Sequence, residues 1–201
     1  SKPSSQSGAR NVRMLKRLPR MLKLIPGKAQ DLRAWFLTMQ YWLGGSDDNI
    51  EAMIRFLISR YCHIPEWRGG RVPAPLEYPD TGLYHPDLDG RITENPVDLP
   101  GPDGSQGTVG VLLMRSYVLS GDTAHYDAVL RPLEALRLRV FAAFASGLDG
   151  RPAIETFFRD TLGAKIDALL SLTGFSLVGG PAYNDSDAAA VTLGGLDVPY
   201  V

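Results

Sequence analysis

The sequence predicts an α/β fold with helices on both faces of a mainly parallel sheet and a helical segment ahead of it. Three observations carry that prediction. Two short runs, Thr108–Met114 and Arg139–Phe144, are almost wholly apolar and lack polar alternation, the pattern of strands buried on both faces. Between them Tyr126, Val129, Leu130, Leu133 and Leu136 recur at helical spacing. A third apolar run, Ile166–Leu172, a small-residue helix, Ser186–Leu196, and the β-prone end Val198–Val201 repeat the alternation. Strand–helix–strand units of this kind are nearly always right-handed crossovers between parallel strands. The order βαβαβαβ therefore gives the doubly wound class, Rossmann- or flavodoxin-like. The expected division is a basic and aromatic helical segment over 1–62, a Pro/Gly-rich connection over 63–107 and the α/β domain over 108–201.

Taken in order, Asn11–Ile25 places Met14, Leu15, Leu18, Met21, Leu22 and Ile25 at helical spacing between basic residues, and Pro19 either kinks that helix or marks its start. Pro26-Gly27 ends it. Ala29–Leu43 is a second helix, dense in Trp35, Phe36, Met39 and Trp42, with Gly44-Gly45 where a C-cap glycine is expected. Ser46 caps a third, with Ile50, Met53, Ile54, Leu57 and Ile58 on one face. Cys62–Gly107 is punctuated by proline throughout and reads as one long connection. Within it lies TGLYHPD, Thr81–Asp87, where Pro86 holds His85 extended. Arg115–Gly121 reads as a loop, Asp122 or Thr123 as the next helix cap, Ser146–Gly150 as a loop, Pro152–Arg159 as a short helix and Thr173–Asp185 as a Gly-rich loop. Ser at position 1 and the half-strand VPYV at the other end read as cuts in something longer.

Hydrophobic content of 44% and charged content of 21% are those of an ordinary globular chain. No apolar run reaches the roughly 18 residues a membrane-spanning helix needs. The single cysteine, Cys62, rules out an internal disulfide. Net charge is −1, but Ser1–Arg33 holds nine Lys/Arg against Asp31 alone, so that segment is +8 and the remainder −9. Two readings of the basic helix stay open: docking on a membrane surface or nucleic acid, or packing on an acidic part of its own protein.

In an open parallel sheet the ligand crevice lies beyond the carboxyl ends of the strands. Those ends collect Arg115, Ser116, Asp122, His125, Asp149, Tyr183, Asn184 and Asp185 with the backbone of Gly179-Gly180, a set able to hold an anion or small polar ligand, or to serve as caps and turns. His85 is open to either a ligand role or a hydrogen-bonded loop role. No GxxxxGK[ST] phosphate loop, GxGxxG fingerprint, GxSxG elbow or HExxH helix is present.

The stretch RSYVLSGDTAHYDAVLRPLEALRLRVFAAFASGLD, Arg115–Asp149, with SLTGFSLVGGPAYNDSDAA, Ser171–Ala189, and LDVPYV, Leu196–Val201, resembles the large, porphyrin-binding subunit of magnesium chelatase. Lys28–Leu57 and TGLYHPD fit in the same order, so the resemblance covers residues 28–201. The YHP turn and GDTA helix start are similar to the cobaltochelatase large subunit too, while LTGFSLVGGPAYND is closer to the magnesium, bacteriochlorophyll-type branch. The resemblance implies ATP-dependent insertion of Mg²⁺ into protoporphyrin IX, both as substrates, in (bacterio)chlorophyll synthesis. It implies two smaller partner subunits, an AAA+ ATPase and its companion, which hydrolyse the ATP; nucleic acid is not among its partners. A cytoplasmic place follows, or a plastid one for a plant or alga, with peripheral membrane contact open to the basic helix. Within this chain the porphyrin- or ligand-binding candidates are His85, Arg115, Asp122, His125, Tyr183 and Asn184, and the metal candidates His85 and His125.

Overall fold

A computed structural model describes residues 27–62, 66, 71–179 and 183–201; the basic helix read over Asn11–Ile25 lies outside them, as do His63, Trp67 and Gly180. The chain forms two units, Ser1–Tyr78 and Pro79–Val201.

In the first unit, helix α1 (Lys28–Gly44) runs between Gly27 and Gly45, whose left-handed backbone lets its N–H reach the carbonyl of Tyr41. Helix α2 (Asp47–Tyr61) starts at Ser46, whose hydroxyl accepts the Asn49 N–H as an N-cap. Both caps are where the sequence places them. The buried face of α2 differs from the expected one: Asn49 and Ala52 point inward, while Ile54 is exposed. The reason is the Asn49 amide, which accepts from Leu76 N–H at 2.8 Å and donates to Leu76 C=O at 3.0 Å, pinning the proline-rich chain to the helix. A buried polar group is tolerated when satisfied in this way.

The second unit is built on a five-stranded sheet of β1 (Thr81–Tyr84), β2 (Ile92–Thr93), β3 (Gly107–Met114), β4 (Leu138–Ala145) and, after a separate two-stranded ribbon of β5 (Arg159–Asp160) and β6 (Gly163–Ala164), β7 (Ala168–Ser171). The strand order is β2-β1-β4-β3-β7. Strands β3 and β4 pair in parallel, as do β3 and β7. Tyr200 continues the sheet beside Leu169, where the sequence expected a further strand. Helices α3 (Arg115–Ser120) and α4 (Ala124–Ala135) cover one face, over Tyr84, Val111, Leu113, Val140 and Phe144. The other face is covered by α5 (Arg151–Ala153), the π-helical turn Ile154–Phe158 and α6 (Ser186–Leu196). The doubly wound, mainly parallel arrangement is therefore the one observed.

Three local expectations are corrected. The connection read as loop contributes β1, antiparallel to β4, and β2. A glycine inside β1 masks its strand character, yet the strand needs it: a Cβ on Gly82 would stand 2.6 Å from the Phe144 ring. Arg115–Gly121 is not a loop but helix α3, which buries Val118 and Leu119 and closes on left-handed Gly121. Leu136, read on the inner face of α4, lies past its end and is 66% exposed.

Candidate functional site

The crevice beyond β3 and β7 is where a doubly wound fold would take a ligand, because the chain crosses to β4 on one side and returns to β7 on the other. Here it is filled. The loop after β7 folds back over the end of β4: Asp149 bridges to Val178, and Gly179 N–H donates to Leu148 C=O. Met114, Phe175 and Leu177 leave a cavity of about 20 Å³. That holds one water, whereas small-molecule sites run to roughly 300 Å³ or more. Gly179, read as a backbone anion donor, spends its N–H within the protein.

Asp149 is tied to Arg151, accepting from Nε at 2.9 Å, Nη2 at 2.6 Å and the backbone N–H at 3.0 Å. Burial pushes the Asp149 carboxyl up, but the guanidinium and the N–H outweigh it and hold it below its ordinary 3.8. A carboxyl lowered on folding adds stability above that value and loses it as pH falls below. Asp149→Asn is therefore expected to be less stable at pH 7 by about 1 kcal/mol, allowing for its partly exposed partner. In urea melts across pH the deficit should shrink as pH falls below the ordinary carboxylate value of 3.8 and the carboxyl takes up its proton. An unchanged deficit there would assign Asp149 a role independent of its charge.

His85 is 1% exposed and both ring nitrogens are engaged. Nδ1 accepts the Asp87 N–H at 3.1 Å, so Nε2 carries the proton and donates it to Glu134 Oε1 at 2.7 Å. Arg131 is bidentate to Asp87, and that guanidinium lowers the Asp87 carboxyl from its ordinary value. Next door, Tyr84 donates to Asp127 Oδ1 at 2.6 Å, and burial with this bond pushes its phenol up. His85 thus fixes the YHP hairpin to α4, and in this arrangement neither nitrogen is open to a metal or a porphyrin.

His125 has the opposite setting. It is exposed at the start of α4, its ring 3.9 Å from Tyr126 and 5.2 Å, edge-on, from Tyr117. Tyr126 is buried, its hydroxyl accepting the Met114 N–H at the end of β3. Asp122 is exposed close by and does not cap α4; Thr123 holds the cap position and accepts from Arg91 Nη1 instead. His125 and Glu134, the partner of His85, lie nine residues apart on α4, about 14 Å along the axis and on opposite faces. His85 and His125 therefore do not meet at one ion.

The remaining candidates scatter around the same end of the sheet. Arg115 Nε donates to Pro79 C=O at 2.9 Å. Tyr183 and Asn184 are exposed ahead of α6, which Asp185 caps by accepting the Ala188 N–H, as its sequence position suggested. Among the described residues no cluster of three His, Cys, Asp or Glu is placed to hold a metal, and no helix is long and apolar enough to cross a membrane. Sequence reasoning missed Tyr117, hidden in the supposed loop, and Glu134. The signal for Glu134 was available: it lies four residues beyond buried Leu130 and eight beyond buried Tyr126, a carboxylate on the inner stripe.

A family model described as CobN/magnesium chelatase matches residues 39–201, and one for a domain of unknown function (DUF3479) matches residues 1–36. Over 201 residues the chain is 61% identical to the magnesium-chelatase H-type subunit of Cereibacter sphaeroides and 62% identical to that of Rhodobacter capsulatus. Each match takes in the whole chain and 17% of the relative, so the chain spans a small part of those proteins. The chloroplastic magnesium-chelatase subunit ChlH of Oryza sativa subsp. indica is 34% identical over 94% of this chain and 15% of its own length. Among solved structures, the catalytic subunit of cobaltochelatase from Mycobacterium tuberculosis has a similar fold, with a TM-score of 0.51 at 23% identity over 84% of this chain and 13% of that one.

Proposed function

The chain belongs to the CobN/magnesium chelatase family, and from that membership we propose that it is part of the porphyrin-binding subunit of a bacteriochlorophyll-type magnesium chelatase. The observation that carries the reading is identity of 61% running the full 201 residues against a magnesium-chelatase H-type subunit. Cobalt insertion into a corrinoid is less favoured, since likeness to the cobaltochelatase is one of fold at 23% identity. The reaction proposed for the whole assembly inserts Mg²⁺ into protoporphyrin IX, with ATP hydrolysed by the two smaller subunits.

Insertion must remove two pyrrole protons and strip water from a tightly hydrated ion. An imidazole or carboxylate beside the macrocycle can accept such a proton. Of the sequence candidates, His125 has the open imidazole, Asp122 is an exposed carboxylate in the same turn, and Tyr117 extends an aromatic ledge on which a planar ring could stack. Arg115, Tyr183 and Asn184 are proposed as polar contacts at the same end of the sheet. His85 is proposed to act from a distance, through the hairpin it anchors.

The test uses the complete large subunit with its partner subunits and ATP. His125→Ala is expected to lower the rate of Mg-porphyrin formation by about 10²-fold, the usual scale of a lost acid–base group. Tryptophan quenching by a soluble porphyrin should remain saturable, with affinity within about 3-fold of the parent. Unchanged insertion by both His125→Ala and Asp122→Asn would remove this ledge from the reaction and leave the chain as scaffold.

A further inference from the structure

His125 is the second residue of α4 and its imidazole is exposed. An exposed side chain left to itself exchanges rotamers within nanoseconds. A group that takes a proton from a bound ring has to meet it at one angle, and a misplacement of about 1 Å can cost about 10²-fold in rate. Two rings hold the imidazole. Tyr117, on α3, meets it edge-on at 5.2 Å and is itself exposed. Tyr126 lies 3.9 Å away, its plane tilted by 45°, and is fully buried.

Tyr126 is fixed at both ends. Its backbone N–H donates to Thr123 C=O at 2.9 Å, and buried Thr123 is held in turn by Arg91 Nη1 at 3.2 Å. Its hydroxyl accepts the Met114 N–H at 3.0 Å, a bond from α4 to the last residue of β3. Between these ends the ring sits in the core with Val111, Leu113, Val118 and Leu130. Burial pushes the phenol up; the Met114 N–H pulls it down, while Tyr117 and the Asp122 carboxylate push it up again. The net rise keeps the hydroxyl protonated at neutral pH. Tyr117 also rests edge-on against Tyr126, at 6.2 Å and 89°. Both rings that touch His125 are thus referred to one point at the end of a central strand.

We propose that Tyr126 is the positioning residue of His125: its ring, tied through the hydroxyl to the end of β3, fixes the plane of the imidazole and the setting of Tyr117 beside it. This rests on His125 being the proton acceptor of the insertion reaction. Tyr126 is buried, touches no substrate and acts only through its neighbour. A base held from a strand keeps its geometry better than one held by a loop.

The test is a double-mutant cycle in the complete large subunit, with its partner subunits and ATP. Tyr126→Phe keeps the ring and removes the tether; Tyr126→Leu removes both. Tyr126→Phe is expected to lower kcat about 5-fold, with KM for the porphyrin within about 2-fold of the parent. Tyr126→Leu should lower kcat about 30-fold. With His125 already replaced by alanine, each should change kcat by less than about 1.5-fold, because residues that act as a unit are not additive. Thermal melts of the same samples correct each rate for the folded fraction, and Tyr126→Phe carries the test where Tyr126→Leu fails to fold. Equal losses in the two backgrounds would make Tyr126 structural only and overturn the assignment, leaving His125 in its role. A loss confined to KM, or Tyr126→Phe with the kcat of the parent, would overturn it as well. Unchanged insertion by His125→Ala would instead remove the base, and the positioning role with it.

Discussion

Replacing Glu134 by leucine is expected to lower the unfolding free energy by about 2–3 kcal/mol, whereas Glu134→Gln should cost about 1 kcal/mol or less. The difference lies in what each leaves facing His85. The imidazole is 1% exposed, and its Nδ1 already accepts the Asp87 N–H, so the proton sits on Nε2 and needs an acceptor. Glu134 Oε1 supplies one at 2.7 Å. A glutamine carbonyl can take that place with a neutral bond; leucine leaves a buried N–H without a partner, and a donor stranded away from water carries its full desolvation cost. Arg131 keeps Asp87 in both variants, so the exposed ion pair cancels in the comparison. Urea melts at pH 7 with matched m-values check this, and equal losses for the two variants would sink the argument. If the proposed function holds, metal insertion by the complete assembly should fall with Glu134→Leu in proportion to lost fold, with little change for Glu134→Gln. That would mark His85 as an anchor rather than a ligand.

Elements whose apolar pattern is both long and uninterrupted were legible in the sequence. Strands β3 and β4, helix α4 between them, and the caps Ser46, Gly45 and Asp185 stand where their residues put them, because burial on two faces and orphan N–H groups leave direct traces. Strand β1 was hidden because its second residue is a glycine demanded by the Phe144 ring, a contact between positions 62 residues apart. Helix α3 was hidden because six residues are too few to show a period. The site divides along the same line. Residue types pointed to His85 and His125 equally, and only the fold separates them: Glu134 faces one, while the other stands open beside Tyr117. The closed crevice after β7 was likewise beyond the sequence, since the filling of Phe175 and Leu177 depends on a loop folding back across the sheet.

Phe158→Ala is expected to be the most damaging single change in the α/β unit, at about 3–5 kcal/mol, with a fall in melting temperature of roughly 10–25 °C. Phe158 closes the π-helical turn Ile154–Phe158 and is fully buried, with Ile154, Phe157, Ile166 and Leu169 around it. Its ring lies over β3 where Gly110 has no side chain: a Cβ there would stand 3.2 Å from the ring and 2.8 Å from the Ile166 methyl. That closeness makes the origin of the loss testable. In the parent, Gly110→Ala forces the ring and the methyl outward and should cost about 1–2 kcal/mol by overpacking. In the Phe158→Ala background the ring is gone, and the new methyl enters vacated space against a flexible isoleucine end. The second substitution should then cost less than about 0.5 kcal/mol, or recover part of the loss, giving a coupling of about 1 kcal/mol. Leu162→Ala, at a side chain 96% exposed, serves as the reference and should fall within about 0.5 kcal/mol of the parent. Strict additivity of Phe158→Ala and Gly110→Ala would show that the ring does not rest on the bare backbone of β3. The glycine would then need another explanation.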